Sequence, residues 1–309
     1  MKEKTRLFLL KWFDRFSRRN MLNVLPDKLY LKTIFRLKLN EKLDLKNPKT
    51  FNEKLQWLKL YDRKPLYTTM VDKYEVKEYV KELIGNEYIV PTLGIWERFE
   101  DINFDALPDQ FVLKCTHDSG GLAICQDKAN FDIEKAKEKI NKCLKVNYYW
   151  KGREWPYKDV KPRIIAEKYM KDSKENNEEG LTDYKFFCFD GEPKAMFIAT
   201  DRANKDEETK FDFYDMNFNH LPFVNGHPNA NKTIMKPKQF EMMKELCMKL
   251  SKNIPQVRVD FYECEGNIYF GELTFFHWGG MVPFKPEEWD YTFGSWIRLP
   301  EQNQNEAND

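Results

Sequence analysis

The stretch that most constrains this chain is Val257-Arg258-Val259-Asp260-Phe261-Tyr262, followed across Gly266 by Asn267-Ile268-Tyr269-Phe270-Gly271-Glu272-Leu273-Thr274. Polar and apolar residues alternate on both sides of a glycine, the pattern of a β-hairpin. With the turn centred on Gly266, facing residues carry numbers that sum to 532, so Asp260 faces Glu272 and Arg258 faces Thr274. Side chains alternate along a strand, so these four share one face, while Val259, Phe261 and Leu273 make the other face apolar. Two carboxylates in facing positions repel. A cation between them removes the repulsion, and two hard oxygen donors with positions left open for phosphate oxygens suit Mg²⁺. A solvated acidic pair on an exposed sheet face is the competing reading. The pairing depends on register, because a slip of one residue undoes it.

A second signal is Phe111-Val112-Leu113-Lys114-Cys115-Thr116-His117-Asp118-Ser119-Gly120-Gly121. An apolar strand carries a lysine near its end and runs into a small, glycine-containing loop. Backbone N–H groups in such a loop can approach phosphate oxygens while the lysine neutralises charge. The lysine precedes the glycines, so this is not a Walker-type P-loop. A plain Gly-Gly turn beside a snorkelling lysine is the alternative. A third stretch, Ile164-Ile165-Ala166-Glu167-Lys168-Tyr169-Met170, reads by itself only as a buried strand and its exit.

Elsewhere, Thr50 and Glu53 fit a capping box opening a helix over 50–59. Asp72 is the expected N-cap of a helix whose apolar residues are Val76, Tyr79, Val80 and Leu83. Further helices are expected over 133–146 and 238–252, the latter with Phe240, Met243, Cys247 and Leu250 on one face. Residues 88–96 read as extended, 171–182 as a loop, 211–214 as a strand, and 184–189 with 195–199 as a hairpin around Asp190-Gly191. Helices interleave with hairpins, so the predicted class is α+β, a mixed α/β fold without a purely parallel sheet.

Composition removes several functions. The 51 Lys plus Arg nearly balance the 50 Asp plus Glu, which argues against a bulk nucleic-acid binder. Hydrophobic residues at 41%, with 15% aromatics, are too many for a disordered chain. No apolar run is long enough to span a membrane, and the basic N-terminus lacks a signal-peptide pattern. The six cysteines form no CxxC pair and the four histidines lack ligand spacing; free thiols in a reducing cytosol are expected, and zinc is not. Charge is nonetheless uneven: residues 1–50 hold 14 basic against 5 acidic side chains. Leu9, Trp12, Phe13 and Phe16 share one helical face there. Such a helix either packs on the domain or rests on an anionic membrane through residues 1–20.

Taken in order, these pieces resemble the ATP-grasp superfamily, in particular its TupA-like branch, named for a teichuronopeptide-biosynthesis protein. The resemblance runs from about residue 50 to 300. Its phrases are Thr50-Phe51-Asn52-Glu53-Lys54-Leu55-Gln56-Trp57, Asp72-Lys73-Tyr74, Phe111 through Gly121, Asp183-Tyr184-Lys185-Phe186, Arg258 through Tyr262, and Gly271 through Phe275. It implies an ATP-grasp fold, with nucleotide held between two α+β subdomains at 67–166 and 167–300. A basic, mainly helical segment at 1–66 would precede them, and a disordered tail at 301–309 would follow. Lys73 and Lys114 would contact ATP phosphates, and His117, Asp118, Ser119, Gly120 and Gly121 would form a lid over them. Glu167, Lys168, Tyr169 and Met170 would be the hinge that reads adenine. Asp183 competes with Asp172, Glu175, Glu178 and Glu179 for the ribose. Asp260, Glu272 and Thr274 would hold Mg²⁺, although many members carry Asn where Thr274 stands. Arg258 and Lys185 would serve the phosphoryl group or the substrate.

The resemblance also implies a cytoplasmic ATP-dependent carboxylate–amine ligase working through an acyl phosphate. Its substrate would be a uronic acid or amino acid of a bacterial surface polysaccharide, such as a capsule or teichuronopeptide, and an amine would be the acceptor. The rival readings are a glycosyltransferase using a nucleotide-sugar and a non-catalytic binding protein. No Asp-x-Asp occurs in the chain; Asp212-Phe213-Tyr214-Asp215 is the nearest approach. His277 reads as a base for the amine or as a hydrogen-bonding residue, and Trp278 to Met281 as pocket wall or as packing.

Overall fold

Antiparallel sheets organise the chain. The computed structural model describes residues 2–171, 182–200 and 208–301. Along them run α1 (Glu3–Arg18), α2 (Asp27–Leu39), α3 (Phe51–Tyr61), α4 (Leu66–Val71), α5 (Glu75–Ile84), β1 (Thr92–Trp96), β2 (Phe111–Cys115), β3 (Leu122–Cys125), α6 (Ile133–Leu144), α7 (Tyr149–Gly152) and β4 (Ile164–Lys168). There follow β5 (Asp183–Phe189), β6 (Glu192–Thr200), β7 (Lys210–Asp215), β8 (Val224–Asn225), α8 (Phe240–Leu250), β9 (Val257–Cys264), β10 (Asn267–Thr274), β11 (Phe284–Lys285) and α9 (Glu288–Trp296). A four-stranded sheet has the order β1-β4-β2-β3, a five-stranded sheet the order β10-β9-β5-β6-β7, and β8 pairs with β11. The mixed α/β class with a helical N-terminal segment is as expected. Residues 172–181 of the expected 171–182 loop, four of the five ribose candidates and the tail beyond residue 301 lie outside the described residues.

Each sheet has its own core. Phe111, Leu113, Ile164 and Ala166 of the four-stranded sheet bury with Ile140 of α6 and with Phe99. The larger core is built on the five-stranded sheet and takes in α2 to α5, including Met70, Val76 and Val80. On one sheet face, Phe186 meets Phe240 of α8 (5.9 Å between ring centres) and Phe261 (6.2 Å). On the other, Phe187 meets Phe293 of α9 (5.2 Å) and Phe51 of α3 (6.1 Å). Burial on both faces explains the near-continuous apolar run of β5. Farther along that second face, the same strands carry Lys185, Arg258 and Asp260.

The hairpin β9–β10 holds two registers. Near the tip, Asn267 faces Cys264 and Phe270 faces Phe261, with numbers summing to 531; beyond a bulge at Gly271, Glu272 faces Asp260 and Thr274 faces Arg258, summing to 532. The tip is a tight turn in which Glu265 and Gly266 both have positive φ (53° and 79°), the conformation a two-residue hairpin turn needs. The pairing at the acids is therefore the predicted one, but a uniform register is not how it arises. Without the extra residue, the tip register would set Glu272 opposite Val259 and turn it to the apolar face.

Local signals held in most places. Thr50 and Glu53 form the capping box. Asp72 ends α4 rather than capping α5, whose N-cap is Tyr74; its Oδ1 accepts from the N–H groups of Tyr74 (2.8 Å) and Glu75 (3.3 Å) in the turn between the two helices. All six cysteines are free thiols. The face expected of α1 is rotated: Leu10 and Phe13 pack inward, while Leu9 and Trp12 are exposed beside Leu7 and Phe8. The connection from α1 to α2 is held by Arg153, which is 1% exposed. Its guanidinium lies 4.5 Å from the ring centres of both Tyr30 and Trp150 and donates to Leu22 O (2.7 Å). No helix among the described residues is long and apolar enough to cross a membrane.

Candidate active site

Alternation in β9 puts Arg258 and Asp260 on one face, two residues apart, where a planar guanidinium and a carboxylate match as a fork. Arg258 Nε donates to Asp260 Oδ1 and Nη2 to Asp260 Oδ2, each at 2.7 Å. Nη2 also reaches Glu272 Oε1 and Thr274 Oγ1, both at 3.0 Å, and the Thr274 hydroxyl donates to the same Glu272 oxygen at 3.0 Å. From β5, directly facing Asp260, Lys185 donates to Asp260 Oδ2. The structure thus brings together all five residues expected at this end of the site. Asp260 is 1% exposed, whereas the Glu272 side chain is 43% exposed and faces open space. Desolvation pushes the Glu272 carboxyl up, but Lys185, Arg258 and Lys73 outweigh it and hold it at about 2.

His277 sits behind Arg258. A guanidinium has only protons to give, so Arg258 Nη1 donates to His277 Nδ1 at 2.9 Å. The imidazole proton is therefore on Nε2, which donates to Asn225 Oδ1 at 3.0 Å. Asn225 Nδ2 in turn points at Val282 O (3.2 Å) and Pro283 O (3.3 Å), which fixes its amide orientation. Burial and the Arg258 and Lys185 charges hold His277 neutral, well below the usual histidine range. With its lone pair occupied, it is a hydrogen-bonding residue rather than a base for an amine.

The opposite wall comes from the four-stranded sheet and α5. Lys114 on β2 and Lys77 on α5 each lie 2.5 Å from a different oxygen of Glu167 on β4. Glu167 is 5% exposed; burial raises its pKa, but the two lysines more than reverse this, and it is held below the carboxylate norm. In the loop after β2, Lys73 donates to Asp118 O, and the Asp118 carboxylate accepts from Gly121 N at 2.9 Å. Gly121 has no room for a side chain, since a Cβ there would meet Cys115 Sγ at 2.4 Å; at Gly120 the nearest atom is 3.9 Å away.

A cleft of about 500 Å³ lies between these walls, lined by Lys73, Lys77, Lys114, Glu167, Lys185 and Glu272 among others. Asp118, Ser119, Gly121, Asp183 and Arg258 also reach it. Seven expected residues do not line it: His117, Gly120, Lys168, Tyr169, Met170, Asp260, which is buried beneath Arg258 and Lys185, and Thr274, which lines the adjoining chamber instead. His117 turns away and bonds Cys143 O and Val146 O, both at 3.2 Å, at the end of α6. Lys168 N donates to Pro91 O (3.0 Å), and Tyr169 OH accepts from Gln126 (2.8 Å).

Sequence reasoning missed the stripe Asn52, Gln56 and Lys59 on α3, all at most 2% exposed. Gln56 Nε2 donates to Gly279 O (3.0 Å) and Gly280 O (2.9 Å), and Asn52 Nδ2 to Val282 O (3.1 Å). These bonds pin the loop 278–282, whose Trp278 lines the cleft and a second chamber of about 380 Å³. The spacing of 4 and 3 residues was the available signal, a polar face on a helix whose other face is apolar.

Two sheets facing each other across a lysine-lined cleft, with a carboxylate hairpin on one wall, define the class of ATP-grasp proteins. The chain belongs to the TupA-like ATP-grasp family, whose profile matches residues 53–298. A search of curated proteins found no match. Among solved structures, it is similar to D-alanine–D-alanine ligase from Bacillus anthracis complexed with ATP, at 16% identity and TM-score 0.39 over 67% of this chain and 53% of that one. The ligase of the same name from Helicobacter pylori aligns at 13% identity and TM-score 0.43, over 80% and 69% of the two chains. The ATP-grasp ligase PsnB, complexed with a phosphomimetic variant of its minimal precursor, Mg and ADP, aligns at 9% identity and TM-score 0.41, over 68% and 52%. The chain thus spans about half the length of two of these proteins.

Proposed function

We propose that this chain is an ATP-dependent carboxylate–amine ligase that forms an amide through an acyl phosphate. The observation that carries the reading is the facing of Lys73 and Lys114 toward the Lys185–Arg258–Asp260–Glu272 cluster across one cleft. ATP phosphates would lie along the three lysines and the N–H groups of the Asp118–Gly121 loop, where fixed positive charge offsets the triphosphate.

Glu272, exposed on its cleft side, would be the leading donor to Mg²⁺; Asp260 is buried with Arg258 and Lys185 on Oδ2, and its Oδ1, which accepts from Arg258 Nε, would be the second. Among the described residues no third acidic, histidine or cysteine side chain completes a cluster, so phosphate oxygens and water would supply the other positions. When bound, Mg²⁺ would neutralise charge on the transferring phosphoryl group.

The substrate carboxylate oxygen would attack the γ-phosphorus, with ADP leaving. Arg258, held in place by Asp260 and His277, would direct its charge at the phosphoryl oxygens. The amine would then attack the acyl carbon, phosphate would leave with the C–O electron pair, and the nitrogen would lose a proton. Positioning and fixed charge are the protein's contribution. The TupA-like membership supports a uronic acid or an amino acid of a bacterial surface polysaccharide as the carboxylate.

The glycosyltransferase reading lacks such support. Asp212 Oδ1 accepts from Ala230 N (3.2 Å), and Asp215 Oδ1 caps the turn at Asn217 (2.9 Å) and Asn219 (2.8 Å). The test is ADP release with ATP and Mg²⁺ across a panel of uronic acids and amines, with Asp260→Asn and Glu272→Gln in parallel. ADP that depends on both substrates and is lost in both variants supports the ligase. Release of UDP from a nucleotide-sugar with no ADP from any pair overturns it.

A further inference from the structure

The second chamber meets the ATP cleft at Lys73, Arg258 and Glu272 and extends toward the N-terminal helices. Tyr30, Ile34 and Lys38 of α2 wall it, and these precede the residues matched by the family profile. Tyr148 and Tyr157 line it, and beside them stands Glu154.

Glu154 has a neighbour that gives it no hydrogen bond. The Lys59 ammonium carries three protons, and three acceptors surround it: Gln56 Oε1 (3.2 Å), Gly152 O (2.9 Å) and Gly279 O (2.8 Å). A Cβ built on Gly279 would lie 3.5 Å from Glu154 Oε1 and 3.7 Å from Lys59 Nζ, so the two groups approach the same spot. Yet no hydrogen bond or ion pair among the described residues reaches the Glu154 carboxylate. Burial pushes that carboxyl above the usual range, and the Lys59 charge opposes the shift. The side chain is half-buried on the chamber wall, so its carboxylate can take donors from a ligand that brings N–H groups into the chamber.

We propose that this chamber binds the amine substrate as its ammonium ion, with Glu154 accepting the ammonium N–H bonds and α2 limiting what else the amine carries. The assignment rests on the ligase reading. It puts the nitrogen beside Arg258 and Glu272, next to the cleft that would hold the ATP phosphates; one ammonium proton passes to the Glu154 carboxylate, which frees the lone pair for attack on the acyl carbon. A primary ammonium can come from an amino acid or an amino sugar. Lys38 lines the same chamber and would meet the carboxylate of the former only.

Isothermal titration of the wild type and Glu154→Gln with glucosamine, L-alanine and L-glutamate, and with their N-acetyl forms, tests it. At least one free amine should bind the wild type about tenfold tighter or more, while the N-acetyl forms do not distinguish the two proteins. Lys38→Ala should then weaken an amino acid but not glucosamine. Amine binding that is equal in both proteins, or absent from the wild type, overturns the assignment. ATP titration of the same proteins separates the two readings: no ATP binding by the wild type counts against the ligase, whereas intact ATP binding with indifferent amine binding counts against Glu154 alone. Glu154 is also the nearby counter-charge of Lys59. If Glu154→Gln unfolds, Glu154→Asp keeps that charge, draws it back by one methylene, and should show the same selective weakening.

Discussion

Arg258 and His277 share one hydrogen bond whose direction is fixed, Nη1 giving its proton to Nδ1 at 2.9 Å. The histidine is therefore part of the arginine's mounting. Any ligation activity should show no ionisation near 6.5 that belongs to His277, because burial and the Arg258 charge hold it well below the usual histidine range. His277→Gln should lower stability by about 1–3 kcal/mol, the cost of a broken buried hydrogen-bond network, and leave the shape of the pH–rate profile unchanged. A profile that loses its acidic limb in this variant would restore the histidine as a base.

Arg258 also neutralises Asp260, which is 1% exposed. Arg258→Ala leaves that carboxylate with Lys185 alone and should cost about 3–5 kcal/mol in urea unfolding. Arg258→Lys keeps the charge without the fork. It should recover part of the stability and little of the activity, since an ammonium cannot hold Asp260, Glu272 and His277 together. Full activity in the lysine variant would show that the charge alone suffices.

The adjacent glycines of the loop after β2 should behave differently. At Gly120 a methyl group meets nothing closer than 3.9 Å, so Gly120→Ala should change stability by no more than about 0.5 kcal/mol. At Gly121 it would collide with Cys115 Sγ (2.4 Å) and Cβ (2.7 Å). Gly121→Ala should therefore cost about 1–3 kcal/mol and weaken nucleotide binding by displacing the loop. Adding Cys115→Ala removes the sulfur but not the Cβ, and should restore only part of both losses. Thermal unfolding and nucleotide titration of the three proteins decide it.

Lys59 gives a pH signature. Desolvation lowers it from 10.5 to about 8, with the Glu154 charge opposing. Between those values the unfolded chain holds a proton that the native state has released, so this group's contribution to stability rises with pH across the window. Against Lys59→Met, the wild type should gain about 1.4 kcal/mol per pH unit from pH 8 toward 10 in urea unfolding. A difference independent of pH would mean that the buried amine keeps its proton throughout.

How much of the site could be read from the sequence depended on how far apart its parts lie. Asp260, Glu272, Arg258 and Thr274 were legible because one hairpin carries all four and alternation assigns their face. Their register came out correctly although the turn and the bulge each depart by one residue from the assumed pairing. Lys59 was not legible: two of its acceptors are backbone carbonyls of Gly152 and Gly279, far away in the chain, and no spacing encodes them. Asn225 and Glu154 were hidden for the same reason. The helix α2 was missed because its buried residues, Tyr30, Leu31, Ile34, Phe35 and Leu37, cover more than one stripe and blur the helical period. His117 misled because it adjoins the glycines in sequence while its ring faces α6.

The bulge at Gly271 divides the β9–β10 hairpin into two rulers laid end to end. The graduations near Asp260 are set by the sheet, through the pairing of Lys185 with Asp260. Those on the tip side of Gly271 are set by the turn at Glu265 and Gly266, where a Cβ on Gly266 would meet nothing within 4 Å. The tip can therefore be lengthened to carry an epitope or a fluorophore without moving the two carboxylates relative to each other. That makes it a natural point of attachment for following the cleft as it fills.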